Sequence, residues 1–337
     1  MLYFRAVLLI LVAIPSGAAA GYAAVAPHKM TIAYASIGPR SAPLWAAEEQ
    51  GFFRKNGIEP TIIFVRGAPT LVAALASGDM DIGYTGGTAV LGAAAGGIDL
   101  KILAVLTNRV TYDLVARPGI KSAEDLRGKR FGVTSIGGTL WMGAVLGLEK
   151  LGVDTNRDDI RFLVIGDQVV LSQALEDNRI DATVLDNVFS KRLAQKGFPV
   201  LAELHKTNLP ITATSLVARQ SYVQKNPLLM ENFIKSVIEG IAFVLGPANK
   251  AATIKLLQHR LRVTEREAEE GFVDMTIGMD KKPIPSIDGL RNIQRLMKLR
   301  NPKLGNVKVE DLVDDQILRR LDESGYIDKL FAAQGVK

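Results

Sequence analysis

The chain has 337 residues, an apolar fraction of 48%, and 41 Lys+Arg against 35 Asp+Glu for a formal net charge of +6. That length suits about two domains, the apolar share can fill their cores, and the basic residues are too scattered to suggest nucleic acid as a partner. The absence of cysteine excludes disulfides, thiolate metal sites, cysteine nucleophiles and a cysteine-linked lipid anchor, and His28, His205 and His259 match no metal motif.

Residues 1–20 read as a signal peptide. Arg5 gives a positive start and Ala6–Ile14 is an unbroken apolar run. Pro15-Ser16-Gly17 breaks the run, and Ala18-Ala19-Ala20 supplies small residues for cleavage before Gly21. The run is short for a bilayer span, so an uncleaved anchor is the second reading. The mature protein is expected to be exported, soluble and periplasmic.

Met30–Tyr34 reads as a first strand and Ser36–Pro43 as a polar loop, with Pro43 opening a helix over Leu44–Phe53. Ile58–Val65 is a second strand. Arg66–Thr70 turns the chain into a helix that stops at Gly78. Asp81–Thr85 is a short strand, Gly86-Gly87 a turn, and Thr88 an N-cap for a helix over Ala89–Ala95. Leu100–Leu106 is another strand. The alternation specifies an α/β fold with a mostly parallel sheet.

Asp113–Arg117 (DLVAR) and Ser215–Arg219 (SLVAR) look alike and are expected to be two hinge strands joining two lobes. Between them, strands at Arg130–Thr134, Ile160–Ile165, Asp181–Leu185 and Val200–Leu204 alternate with helices at Leu140–Leu151, Val170–Glu176 and Phe189–Lys196. Beyond them, Asn226–Leu245, Ala248–His259, Glu265–Met275, Ser286–Leu299 and Val309–Leu321 are helical in pattern. The expected domains are a discontinuous lobe I, residues 27–110 and 218–337, and a lobe II of residues 111–217.

The chain also repeats itself. Leu71–Thr88, LVAALASGDMDIGYTGGT, is answered by Gln173–Asn187, QALEDNRIDATVLDN, with Gly78 matching Asn178 and Asp81 matching Asp181. Ser36-Ile37-Gly38 is echoed by Ser135-Ile136-Gly137 upstream of each copy. Four segments in one order imply two similar lobes facing each other across a gap lined by the glycine turns.

The turns at strand ends supply backbone N–H groups that no helix partner uses. They nominate Ser36, Gly38 and Ser41, then Arg66, Gly67 and Thr70, then Gly86, Gly87 and Thr88 from one lobe. The other offers Ser135, Gly137, Gly138 and Thr139, then Asp186 and Asn187. Helix N-termini converging on a cleft favour a carboxylate, sulfonate or phosphate. Trp45 and Trp141 begin helices after cleft loops, one per lobe, and could stack on a flat solute. Each has a plainer alternative. The glycines could serve only as turns, the tryptophans could fill their own cores, Arg66 could be solvated, and Asp186 could cap the next helix.

Three ordered motifs carry a resemblance. Ala42–Ile58, APLWAAEEQGFFRKNGI, resembles the opening of substrate-binding proteins of the NMT1/THI5-like and nitrate/sulfonate/taurine group. The segment ALASGDMDIG starting at Ala74 is similar to their second motif and Ile120–Gly132, IKSAEDLRGKRFG, to their third; the tail around Glu310–Tyr326 is similar too. The resemblance implies a type II periplasmic binding protein fold, a monomer that closes on a small solute and delivers it to an ABC transporter permease. It implies no cofactor and no catalytic residue. A sensor subunit of the same fold is one alternative. A pyrimidine-synthase-like enzyme is another, and the lack of cysteine argues against it. Aromatic acids, alkyl sulfonates, pyrimidines and small anions all remain open as solutes.

Overall fold

The computed structural model describes residues 26–155, 157–298 and 301–336; the expected signal peptide lies outside them. The chain begins with β1 (His28–Tyr34), α1 (Ala42–Glu49), α2 (Phe52–Lys55), β2 (Ile58–Phe64), α3 (Ala68–Ser77), β3 (Ile82–Thr85), α4 (Gly87–Ala95) and β4 (Leu100–Arg109). It continues through β5 (Tyr112–Ala116), β6 (Arg130–Val133), α5 (Thr139–Lys150), β7 (Arg161–Val164), α6 (Gln168–Glu176), β8 (Ala182–Asp186), α7 (Asn187–Gln195) and β9 (Val200–Glu203). Then come β10 (Pro210–Arg219), α8 (Gln220–Lys225), α9 (Pro227–Leu245), α10 (Lys250–Leu261), α11 (Glu265–Gly278), α12 (Ile287–Met297), α13 (Gln316–Glu323) and α14 (Tyr326–Ala333). Among the described residues no helix is long and apolar enough to cross a membrane.

Two five-stranded sheets share one plan. Their orders are β2-β1-β3-β10-β4 and β7-β6-β8-β5-β9. In the first, β1 runs parallel to β2 and β3, and β10 is antiparallel to β3 and β4. In the second, β6 runs parallel to β7 and β8, and β5 is antiparallel to β8 and β9. The single antiparallel strand inside each sheet is the one that has just arrived from the other lobe.

The repeat read from the sequence is visible atom by atom. Gly78 ends α3 with φ +91°, and Asn178 holds the same place after α6 with φ +57°. Glycine and asparagine are the residues that take this left-handed conformation most readily. Asp81 Oδ2 accepts the Thr31 N–H at 2.8 Å, and Asp181 Oδ2 accepts the Arg130 N–H at 2.9 Å. Each carboxylate therefore pins the start of its own β-strand to that strand's parallel neighbour, β3 to β1 and β8 to β6.

The two crossings lie side by side, where the Val110 N–H donates to the Leu209 carbonyl at 2.9 Å. They fall between β4 and β5 and between β9 and β10. Residues 210–217, expected in lobe II, therefore belong to the first sheet. DLVAR and SLVAR are likewise not the crossings themselves. They are matching antiparallel strands within β5 and β10, which is why they look alike.

Other boundaries differ for local reasons. The helix expected over Leu44–Phe53 is two helices broken at Gln50-Gly51. Val309–Leu321 is not one helix either, because Val313 leaves the helical path to bridge Ile102 of β4. Thr88 is not an N-cap; it lies inside α4, whose N-cap is Gly86. One apolar cluster fills the space between the first sheet and α1, α9 and α10. The other runs from the opposite face of that sheet through Val110 and Tyr112 into the second lobe.

Candidate functional site

A cavity of about 60 Å³ lies between the lobes, room for roughly four to six waters or one small polar group. The loop after β1 contributes Ser36, Gly38, Arg40 and Ser41; β3 and the start of α4 contribute Tyr84, Thr85 and Gly86. The other lobe contributes Tyr112 from β5, Thr134, Ser135 and Gly138 from the loop after β6, and Thr139 from α5.

Glycine starts three of the helices that face this space; a fourth, α1, starts at Ser41, whose hydroxyl donates to the Ser36 carbonyl at 3.0 Å. Gly67, Gly86 and Gly138 are the N-caps of α3, α4 and α5, and Gly38 precedes the short 3-10 turn that leads into α1. No side chain caps any of these ends. The helix α6, which does not line the cavity, is different: Asp167 accepts the Val169 and Val170 N–H groups at 3.1 Å. A serine or aspartate N-cap folds its oxygen onto the first free amides, whereas glycine leaves them for a ligand. The starts of α3, α4 and α5 thus contribute Ala68, Gly86 and Thr139 to the lining, and the positive end of a helix dipole favours negative charge.

Among the described residues the single charged side chain in the lining is Arg40, which the sequence did not nominate. It is 8% exposed, and its Nη2 lies 2.6 Å from Oδ1 of Asp186, itself 1% exposed. Its Nη1 donates to the Thr111 hydroxyl, and its guanidinium stands 4.4 Å from the centre of the Tyr112 ring. The Tyr84 hydroxyl donates to the Arg40 carbonyl at 2.7 Å. Burial works against the charge on Arg40, but Asp186 and then Tyr112 and Asp274 raise its pKa above the usual arginine value. Burial pushes Tyr112 up to about 12 against the pull of Arg40, so it lines the cavity as a neutral phenol.

Asp186 also accepts from Gln168 Nε2 at 2.6 Å, and its own N–H donates to Gln168 Oε1 at 2.7 Å. Gly38 is what lets this cluster meet the other lobe, because a Cβ there would stand 2.3 Å from Asp186 Oδ2. The lobes are thus seen closed.

Of the residues nominated from sequence, Ser36, Gly38, Ser41, Gly86, Ser135, Gly138 and Thr139 line the cavity. Gly67 faces Ser135 across the gap. Asp186 and Asn187 stand behind the lining; Asp186 holds Arg40, and Asn187 Nδ2 donates to Asp113 at 3.4 Å. Gly87 packs against Thr212 and Leu290, while Thr88 and Gly137 line a second space beside the first. Arg66 and Thr70 are exposed, and Arg66 reaches Asp167 of the other lobe at 3.7 Å. The tryptophans do not form the expected sandwich. Trp45 packs edge-on to Tyr34 and Trp141 edge-on to Phe162, each buried in its own lobe.

Residues 38–251 match the family described as NMT1/THI5 like. The chain belongs to this family. A candidate binding protein of Brucella abortus is 28% identical over 235 residues, which is 67% of this chain and 70% of that one. The alkanesulfonate-binding protein SsuA of Xanthomonas axonopodis pv. citri, solved with MOPS, superposes with a TM-score of 0.71 at 19% identity, covering 86% of this chain and 99% of that one. The periplasmic nitrate-binding protein NrtA of Synechocystis gives 0.68 at 14% identity, covering 91% of each chain. The fold shared with these structures is that of periplasmic binding proteins.

Proposed function

We propose that the protein is an extracytoplasmic solute-binding component of an ABC importer, taking a small anionic solute between its lobes. The observation that carries this is the inter-lobe cavity, where uncapped glycine-started helices meet neutral hydroxyls and one already-neutralised arginine. Such a lining holds negative charge by dipoles and hydrogen bonds rather than by a free counter-charge. The sulfonate and nitrate named for the structural neighbours are anions of the size this cavity admits. The signal-peptide pattern and the relatives support delivery to a permease from the periplasm, with the chain acting as a monomer of two lobes, close to residues 27–110 with 210–336 and residues 111–209.

Binding follows a population shift. An open form admits the solute to one lobe, and contacts from the second lobe favour closure. A thermal-shift screen of the mature protein against carboxylates, sulfonates, phosphates and nitrate tests this. At about a thousandfold over its dissociation constant a true ligand adds roughly 4 kcal/mol of stability. Hits confined to neutral or cationic compounds would defeat the anion reading.

A further inference from the structure

A second space opens directly beside the anion cavity. It measures about 280 Å³, larger than the ~150 Å³ of an apolar cavity that takes up benzene. Its walls are Val72 of α3, Ala89 and Ala93 of α4, Ile98, Ile136 and Met297, with no charged residue among the described residues of the lining. Ala68 lines both spaces, and so does the loop Ser135–Gly138, whose Ser135 and Gly138 face the first and Ile136 and Gly137 the second. The two are therefore adjoining compartments divided by one small side chain and one loop.

Three residues look placed for this chamber and for nothing else described above. Gly92 lies inside α4, where any other residue except proline would make a better helix. A Cβ at Gly92 would lie 3.8 Å from Met297 Cε, and one at Gly137 would lie 3.7 Å from the same atom. Met297 thus spans from α4 in one lobe to the loop of the other and ends the chamber. Ile136 holds a large apolar side chain 40% exposed at its rim.

We infer that this chamber receives the apolar body of the solute, whose anionic head occupies the adjoining cavity, and that Gly92, Ile136 and Met297 set the length it accepts. The inference rests on the anion reading proposed above and names the solute as an amphiphilic organic anion. An inorganic anion would leave the chamber empty. Because Ile136 and Gly137 come from the opposite lobe, the chamber is complete only on closure, so a fitting tail also favours the closed form.

The test is calorimetry on the mature protein with unbranched carboxylates and sulfonates of one to about eight carbons. Affinity should climb about fourfold with each methylene until the chamber is full. Gly92→Leu should stop the climb early and leave the one-carbon member bound as before. Ile136→Ser, at a side chain 40% exposed between the buried Ser135 and Gly138, should lower affinity for the long members alone and keeps the test open should Gly92→Leu fail to fold. A flat series in the wild type with the shortest member bound would overturn the chamber and leave the anion reading standing. A climb unchanged in both variants would place the tail elsewhere and overturn it as well. Absence of binding across both series would overturn the chamber, while the anion reading would be decided separately by nitrate and phosphates in the thermal-shift screen.

Discussion

Asp186→Asn separates closure from folding. Asp186 ends β8 in one lobe and Arg40 follows β1 in the other, so their 2.6 Å pair exists only while the lobes are shut. At that distance two unit charges attract by about 6 kcal/mol at an effective dielectric constant near 20. Much of that is cancelled by the cost of drying both groups. The substitution has a clearer size. It keeps the shape and leaves the Arg40 guanidinium buried without its carboxylate, which costs about 3–5 kcal/mol. Asp274, freed from the repulsion of Asp186, ionises more readily and holds the cost to the lower end. On the proposed opening Asp186, Thr111 and Tyr112 leave Arg40 with the second lobe, so the penalty is expected on closure alone. A cost of about 3 kcal/mol corresponds to a loss of affinity of roughly 150-fold. The assay is calorimetry with whichever anion the screen returns, beside small-angle scattering with and without it. Urea unfolding should stay within about 1 kcal/mol of the wild type. An affinity within about threefold of wild type, with unaltered compaction, would refute the latch.

Asp274 predicts a pH dependence. Burial, and then the Asp186 carboxylate, push it up to about 7 against the pull of Arg40. The folded protein therefore holds this proton more tightly than the unfolded chain, whose value is about 3.9. Its contribution is complete below that lower value and is lost as pH rises towards 7, by roughly 1.4 kcal/mol per pH unit inside the window. Asp274→Asn should flatten the stability profile between about pH 5 and 7 in urea titrations, and an unchanged slope would assign the dependence elsewhere. Trp45→Ala and Trp141→Ala should each cost about 3–5 kcal/mol of stability. Solute affinity of the folded fraction should stay put, and a loss of binding at full stability would return that ring to the cleft.

What the sequence revealed and what it hid follow one distinction. Features set by the local backbone were legible. The turn at Gly78 and its partner at Asn178 announced themselves, as did the carboxylates Asp81 and Asp181 and the glycine turns before α4 and α5, although the N-cap of α4 is Gly86 and not the expected Thr88. Each of these does its work within a few residues of itself or with the neighbouring strand. Features set by the direction of a side chain were not legible. Thr139 lines the cavity while Trp141, two residues on along the same helix, has turned about 200° around the axis into the core. Arg40 was missed for a related reason. Beside Gly38 and Pro39 it reads as a solvated loop residue, and what buries it lies far away in the chain, at Tyr112 and Asp186. The one local signal was a lone cation in an otherwise neutral cleft loop.

The strand exchange between the two sheets also sets a clock. β10 lies between β3 and β4, yet it follows β4 by a hundred residues. A chain delivered N-terminus first at about 5–20 residues per second, the pace of synthesis, presents Arg219 roughly 5–20 s after Arg109. The second lobe is contiguous and can complete itself within that interval. The first cannot, so for those seconds β3 and β4 wait with open edges, and the earliest part of the chain to be made is the last to become a finished domain.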